Sequence, residues 1–374
     1  MMLSNIKANS LLCLLVFAVI VSSCSIEINQ TVEMTPSPSI ESNPPTSATS
    51  SLATTPVPIT WANLELVGKL VYISSAMENN SLITSIQMLD LTTGDIAVIF
   101  SAPPGGWIYY ITLSPDAKSL VMSYIPPSQS SAAFSRALYI LPFDTTTPQL
   151  LFPPSSSDDQ YVQAEWSPDG KYIYYTHYNS NDPVDAQLNP PYDIFRMSYP
   201  DGKAEKISDH AFWPRISSDS TKLVYVSLDP ASGRNGIVVA NVDGTDPQNI
   251  NLSGADIPEI MDAPVFSPDG QSILFSAPPP PQAYRPNWFE KLTGIQVAKA
   301  HNVPSDWWSV PVTGGVPTRL TSIQTINLFA SFSPDKKYIA SVSGEGLFVM
   351  GLDGSNLTRL VFDPGVHGTV NWIP

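Results

Sequence analysis

The stretch WSPDGKYIYY at residues 166–175 is written again at LSPDAKSLVM (113–122), FSPDGQSILF (266–275) and FSPDKKYIAS (332–341), with a worn copy, ISSDSTKLVYVS, at 216–227. The first serines of the copies are Ser114, Ser167, Ser217, Ser267 and Ser333, spaced by 53, 50, 50 and 66 residues. A period of this length with strand-forming content marks a repeat architecture, and it restricts the fold more than any other property of the chain. In each copy a short apolar strand runs into Ser-Pro-Asp-Gly. There proline sets φ, aspartate caps the backbone and glycine accepts a positive φ. A β-branched and aromatic run such as KYIYY or KLVYV follows as a second strand. Third and fourth strands, split by another turn, read as YDIFRMSYPDGKAEKIS (192–208), GIVVANVDGTDPQNINL (236–252) and LFVMGLDGSNLTRLV (347–361). Four antiparallel strands per repeat make one propeller blade.

The two ends of the chain set the count. GKLVYIS (68–74) reads as a second strand without its first, and SIQMLDLTTGDIAVIF (85–100) supplies strands three and four. At the other end TVNWIP (369–374) reads as a first strand that stops where the turn begins. The two pieces together make one blade. Five complete blades and one shared blade predict an all-β, six-bladed propeller, closed by pairing of its terminal segments so that no sheet edge is left open.

Repeats of the form x-Pro-x-aromatic-Ser-Pro-Asp-Gly-Lys resemble the six-bladed propeller of the TolB family, shared with the propellers of prolyl oligopeptidases. Pro264 to Gly270 fits the pattern, Trp166 to Lys171 fits its core, and the resemblance covers about 68–374. It implies a propeller that docks proteins or peptides, since TolB binds a peptidoglycan-associated lipoprotein and phage or colicin peptides. The sequence differs from TolB in two respects: no separate α/β domain is read ahead of the ring, and a lipobox is present.

That lipobox lies in the leader. Lys7 precedes eleven apolar residues, Leu11 to Val21. This is shorter than the ~20 needed to span a bilayer and fits a signal-peptide core. Val21-Ser22-Ser23-Cys24 resembles the acylation site of bacterial lipoproteins, so Cys24 is expected to carry lipid; the alternative is ordinary cleavage after Ser23. A diacylglyceryl plus an N-acyl chain would anchor stably at ~0.8 kcal/mol per buried CH₂. Residues 30–60 hold 6 Pro, 6 Ser and 7 Thr with no basic residue, and such a segment cannot bury enough apolar surface to fold. Fully extended at ~3.1 Å per residue, it reaches up to roughly 100 Å from the lipid. The organisation read from sequence is therefore 1–23 signal peptide, 24–60 acylated cysteine and disordered linker, and 61–374 propeller. The expected location is a bacterial cell envelope, on the extracytoplasmic side of a membrane.

Charge and cysteine usage narrow the partners. The chain carries a net charge of −15, which argues against nucleic acid or an anionic lipid surface, because phosphate binding needs clustered Lys and Arg. Both cysteines, Cys13 and Cys24, lie in the first 24 residues, so the folded body has no disulfide and no thiolate metal site. There is no Gly-x-Ser-x-Gly, His-Glu-x-x-His or Walker pattern, and neither a cofactor nor a metal is expected. His210 and His367 are the two histidines read as approaching each other. The propeller is expected to be a monomer.

Insertions at 125–136, 178–191 and 277–306 all fall between second and third strands, and so crowd the face where the innermost strands begin. Trp288, Leu292 and Ile295 recur at helical spacing in the longest insertion, read either as a flap over its own apolar surface or as a lid that docks a partner through Trp288, Phe289, Trp307 and Trp308. The remaining mouth candidates are Trp107, Tyr109, His210, Trp213, Asp262, Asn327 and His367. Thr112, Glu165, Arg215, Ser331 and Asn371 are expected to line the channel or bridge blades. Glu165 and Arg215 occupy equivalent positions in neighbouring blades, where they could pair. The leading expectation is a lipid-anchored binding scaffold for an envelope protein or peptide, without catalytic activity. The alternatives are a glycan-binding module using Trp107, Trp213 and Trp288, or a hydrolase or lyase using Glu165, Asp262 or His367.

Overall fold

The computed structural model describes residues 61–127, 136–183, 191–229, 235–254, 260–279 and 303–374. The leader, Cys24, the linker, and Trp288 and Phe289 of the long insertion lie outside them. Residues 58–374 form one compact unit.

Six four-stranded antiparallel sheets make up this unit. The first contains β1 (Lys69–Glu78), β2 (Ser81–Asp90) and β3 (Ile96–Ser101); the second contains β4 (Trp107–Leu113), β5 (Ser119–Ile125), β6 (Ala137–Pro142) and β7 (Gln149–Phe152). The third has β8 (Asp159–Trp166), β9 (Tyr172–Asn179), β10 (Asp193–Ser198) and β11 (Ala204–Ser208). The fourth has β12 (Ala211–Ile216), β13 (Lys222–Leu228), β14 (Asn235–Asn241) and β15 (Gln248–Asn249). The fifth has β16 (Asp262–Phe266), β17 (Ser272–Ala277), β18 (Asp306–Pro311) and β19 (Thr318–Arg319). The sixth has β20 (Phe329–Phe332), β21 (Tyr338–Ser343), β22 (Gly346–Gly351) and β23 (Thr358–Phe362). The last strand, β24 (Val366–Ile373), pairs with β1 and completes the first sheet in the order β24-β1-β2-β3. The fold is a six-bladed β-propeller, with one blade shared between the chain ends as the repeat count requires.

Burial falls off from the axis outwards. The second strands, β5, β13, β17 and β21, are apolar runs buried along most of their length, because a neighbouring blade covers each of their faces. The outer strands β3 and β11 are largely exposed. The ring therefore has its core between blades, not inside any one of them.

The repeated motif is a built turn. In five blades the serine hydroxyl donates to the aspartate two residues on: Ser114 to Asp116, Ser167 to Asp169, Ser217 to Asp219, Ser267 to Asp269 and Ser333 to Asp335, all at 2.6–2.7 Å. The same serine oxygen accepts the N–H of the residue that starts or precedes the second strand, such as Tyr172 at 2.9 Å or Tyr338 at 2.9 Å. Each aspartate also accepts a backbone N–H two residues ahead, as from Gln271 at 3.0 Å. Serine and nearby N–H donors hold the five carboxyls below the usual carboxylate range, with burial opposing. The left-handed residue that follows is Gly170 or Gly270 in two blades, but Ala117 (φ 55°), Ser220 (φ 59°) and Lys336 (φ 61°) in the others. The cap thus tolerates a residue that glycine would fit better.

Candidate functional site at the propeller mouth

The innermost strands, one per blade, are β24, β4, β8, β12, β16 and β20. Five of them carry a register shift against the second strand: near Tyr109, Gln163–Ala164, Trp213–Pro214, Ala263–Pro264 and Gly368. A bulge adds local twist and re-aims a side chain. Gln163, Trp213 and Ala263 take φ of 55°, 57° and 46° there. At Gly368 a Cβ would meet the Tyr109 carbonyl oxygen at 2.3 Å, so only glycine fits.

These bulges decide what fills the channel. Four residues before the motif serine stand Tyr110, Gln163, Trp213, Ala263 and Phe329, and Thr369 occupies the matching place in the shared blade. Large rings come from blades two, four and six, and the small or polar residues from the blades between. The three rings meet: Trp213 to Phe329 at 4.8 Å, Tyr110 to Trp213 at 5.1 Å and Tyr110 to Phe329 at 6.1 Å between centroids. Gln163 and Thr369 serve the backbone instead. Gln163 accepts from the Trp213 N–H at 3.1 Å and from the Thr176 hydroxyl at 2.7 Å, and Thr369 accepts from the Ile111 N–H at 2.9 Å. The plug belongs to the largest apolar cluster of the ring. Burial pushes the Tyr110 phenol up, with Arg136 pulling it down and Asp262 adding to the rise.

Trp213 is thus fully buried and offers no face to a ligand, contrary to the expectation that it is a mouth or stacking residue. Trp307 and Trp308 are likewise core residues of β18. Their indole N–H groups donate to the Ser341 hydroxyl and the Ala277 carbonyl at 2.9 and 3.1 Å, so neither anchors a partner. Asp262 is also buried, its carboxylate accepting from the Ala263 N–H at 2.8 Å.

Two residues before the motif serine stand the polar residues Thr112, Glu165, Arg215 and Ser331, with Asn371 at the matching place in the shared blade and Val265 the apolar exception in blade five. Arg215 donates to the Glu165 carboxylate, and the Thr112 hydroxyl donates to the same oxygen at 3.3 Å. Burial pushes the Glu165 carboxyl up, against the pull of Arg215 and Thr112. Asn371 ties the shared blade to blade two, accepting from Leu113 N–H at 3.1 Å and donating to the Ile111 carbonyl at 3.2 Å. Ser331 is partly buried on β20. Thr112, Glu165, Arg215 and Asn371 thus bridge blades.

On the mouth side the predicted residues separate into two groups. His367 stacks on Trp107 with centroids 5.3 Å apart and planes 22° from parallel, and Trp107 meets Tyr109 edge-on at 6.2 Å. The band continues through residues that sequence reading passed over. The Arg136 guanidinium lies 4.0 Å over the Tyr109 ring and donates to the Tyr178 hydroxyl at 2.9 Å. Tyr178 meets Tyr192 at 5.2 Å, and Tyr192 meets Phe212 at 5.4 Å. Seven partly exposed side chains therefore run unbroken across blades one to four. His210 is exposed on the same rim, its backbone N–H donating to the Asp193 carboxylate at 3.3 Å, and Asn327 is half-buried there. His210 and His367 begin the inner strands of opposite blades, which overturns the expectation that they approach each other. Among the described residues no cluster of three His, Cys, Asp or Glu is placed to hold a metal.

No family model matches the chain. Solved structures share its ring. TolB from Acinetobacter baumannii superposes with a TM-score of 0.55 at 17% identity, covering 82% of this chain and 67% of its own. A TolB-like protein from Agrobacterium tumefaciens gives 0.55 at 15%, covering 83% and 99%. A chain of the nidogen/laminin complex gives 0.55 at 10%, covering 81% and 98%.

Proposed function

We propose that this is a lipid-anchored envelope protein whose propeller mouth docks a protein or peptide partner. The observation that carries the reading is the band from His367 to Phe212: aromatic, partly exposed, broken by a single cation, and lying over a floor closed by Tyr110, Trp213 and Phe329. Aromatic residues and arginine are what protein interfaces concentrate at their centres. A band of this kind, spread over four blades, suits an extended segment better than a small molecule engulfed in a pocket. The nidogen/laminin complex shows the same ring in a protein assembly, and TolB supplies the fold, so docking is a use this architecture supports.

The glycan reading loses support because it needs three tryptophan platforms, and Trp213 is buried in the plug while Trp288 lies outside the described residues. A hydrolase would use a pair of free carboxylates. Glu165 is instead engaged by Arg215 and Thr112, and Asp262 is buried.

The test is photo-crosslinking in intact cells from a crosslinker placed at Tyr109 or His210, compared with one at Gln271 on the opposite face. A partner captured only from the mouth supports the reading. Capture only from Gln271 rejects it. The anchor is tested apart from this: Cys24→Ala should move the protein from the membrane to the soluble fraction and abolish labelling by an alkyne fatty acid.

A further inference from the structure

Among the described residues there are five arginines, and four of them face a carboxylate: Arg196 with Glu205, Arg215 with Glu165, Arg319 with Asp306 and Arg359 with Glu345. The fifth, Arg136, faces none. Its backbone is fixed between blades two and three, donating to the Gln160 side chain at 3.2 Å and accepting from the Tyr161 N–H at 2.9 Å. Its guanidinium is backed by the Tyr109 ring and tethered by Tyr178, which engages one of its five N–H donors. Nε is buried without a hydrogen-bond partner. A cation held rigidly in an aromatic wall, short of acceptors, in a chain with a net charge of −15, is an unusual arrangement. Burying an ion without a counter-charge costs free energy that a bound anion would return.

We propose that Arg136 is the recognition point for a carboxylate on the docked peptide, either the chain terminus or an acidic side chain, with an apolar neighbour of that carboxylate resting on Trp107 and Tyr109. This rests on the reading of the mouth as a docking face and names its chemistry. The planar guanidinium fork matches a carboxylate in two parallel hydrogen bonds. The Tyr109 ring, 4.0 Å beneath the guanidinium, and Trp107, 6.2 Å from Tyr109, offer aromatic contact for a side chain. A densely charged polyanion would be repelled by the rest of this acidic molecule, whereas a single carboxylate meets a local cation.

The whole chain, ¹⁵N-labelled in detergent micelles, is titrated with N-acetyl-phenylalanine, with N-acetyl-glutamyl-phenylalaninamide and with N-acetyl-phenylalaninamide, while the Arg136 Nε–Hε resonance is followed. Saturable shifts with one or both carboxylate probes, and at least tenfold weaker binding of the neutral amide, are expected. Which acid binds more tightly separates the chain terminus from the side chain as its source. Arg136→Gln should abolish the difference between acid and amide; Tyr178→Phe should keep it but weaken binding about threefold. Equal binding of acid and amide by the unaltered chain overturns the proposal without recourse to any variant. So does a stronger response to glucuronate or inorganic phosphate than to either peptide acid. If Arg136→Gln, still folded by circular dichroism, crosslinks the same partner equally well from Tyr109, the carboxylate assignment fails and docking stands. If the acid probes bind but no partner is captured from the mouth, the docking reading fails and the site stands.

Discussion

The indole N–H of Trp372 donates to the carbonyl of Val67 at 3.0 Å, joining residues 305 positions apart. Around this contact Leu70 pairs with Trp372 and Lys69 with Ile373, so the last strand of the chain becomes the innermost strand of the first blade. Gly68 permits the approach, since a Cβ there would lie 2.2 Å from the Ile373 carbonyl oxygen.

Opening that closure should be costly. Trp372→Ala removes a buried ring and is expected to lose about 3–5 kcal/mol in urea denaturation, as large-to-small core changes do. Gly68→Ala should be destabilising as well, while Val67→Ala, an exposed side chain that keeps its carbonyl, should change little.

The aromatic plug gives a second measurement. Phe329→Ala is expected to cost about 3–5 kcal/mol by denaturant titration, and to raise the quenching of tryptophan fluorescence by acrylamide as Trp213 becomes accessible. Unchanged quenching would show that the channel is closed by something other than these rings.

Glu165→Gln leaves Arg215 without its counter-charge. The side chains are 22% and 12% exposed, so water offsets part of the loss, and a destabilisation of about 1–3 kcal/mol is expected, below that of a fully buried pair. Adding Arg215→Met should recover part of it, and a double-mutant cycle reads the coupling.

The five motif aspartates predict the acid response. Their carboxyls titrate lower folded than unfolded, so the unfolded chain binds more protons in the window between the two values. Their contribution to stability is present above the ordinary carboxylate value, near pH 4, and is lost as pH falls through the lower, folded values. Ser167→Ala and Ser267→Ala remove the donors that hold Asp169 and Asp269 down, and should move the acid-unfolding midpoint to higher pH.

The same turns can be improved. Ala117→Gly and Lys336→Gly relieve a left-handed conformation that costs ~1–2 kcal/mol for an L-residue. Against this stands the ~0.5–1 kcal/mol lost to the greater freedom of glycine in the unfolded chain. Each should raise stability by about 0.5–1 kcal/mol in thermal denaturation, with Gly170 and Gly270 as the natural precedents.

The ring was legible in the sequence because its signals are local. A Ser-Pro-Asp-Gly turn is specified by side chains within five residues of one another, and the split blade is visible as Trp372-Ile373-Pro374 standing where Trp166-Ser167-Pro168 stands. The Glu165–Arg215 pair was legible too, because equivalent positions of adjacent blades face the same channel. Trp213 was not. A one-residue bulge reverses the face a side chain takes, and nothing in WPRI announces the bulge. Trp307 and Trp308 adjoin a long polar insertion, yet both indoles turn into the core, each through a hydrogen bond to a residue outside its own strand. Arg136, Tyr178 and Tyr192 flank insertions with no periodic pattern, and their common surface exists only once blades two and three are side by side. The one clue was an arginine directly ahead of the apolar run ALYIL.

With Tyr110, Trp213 and Phe329 wedged together on the axis, the propeller is a dish with two unconnected sides and not a pipe. Nothing captured on the rim that bears Arg136 can be handed through to the rim of serine turns. Each side is therefore free to change its residues, and to acquire its own partner, without penalty to the other.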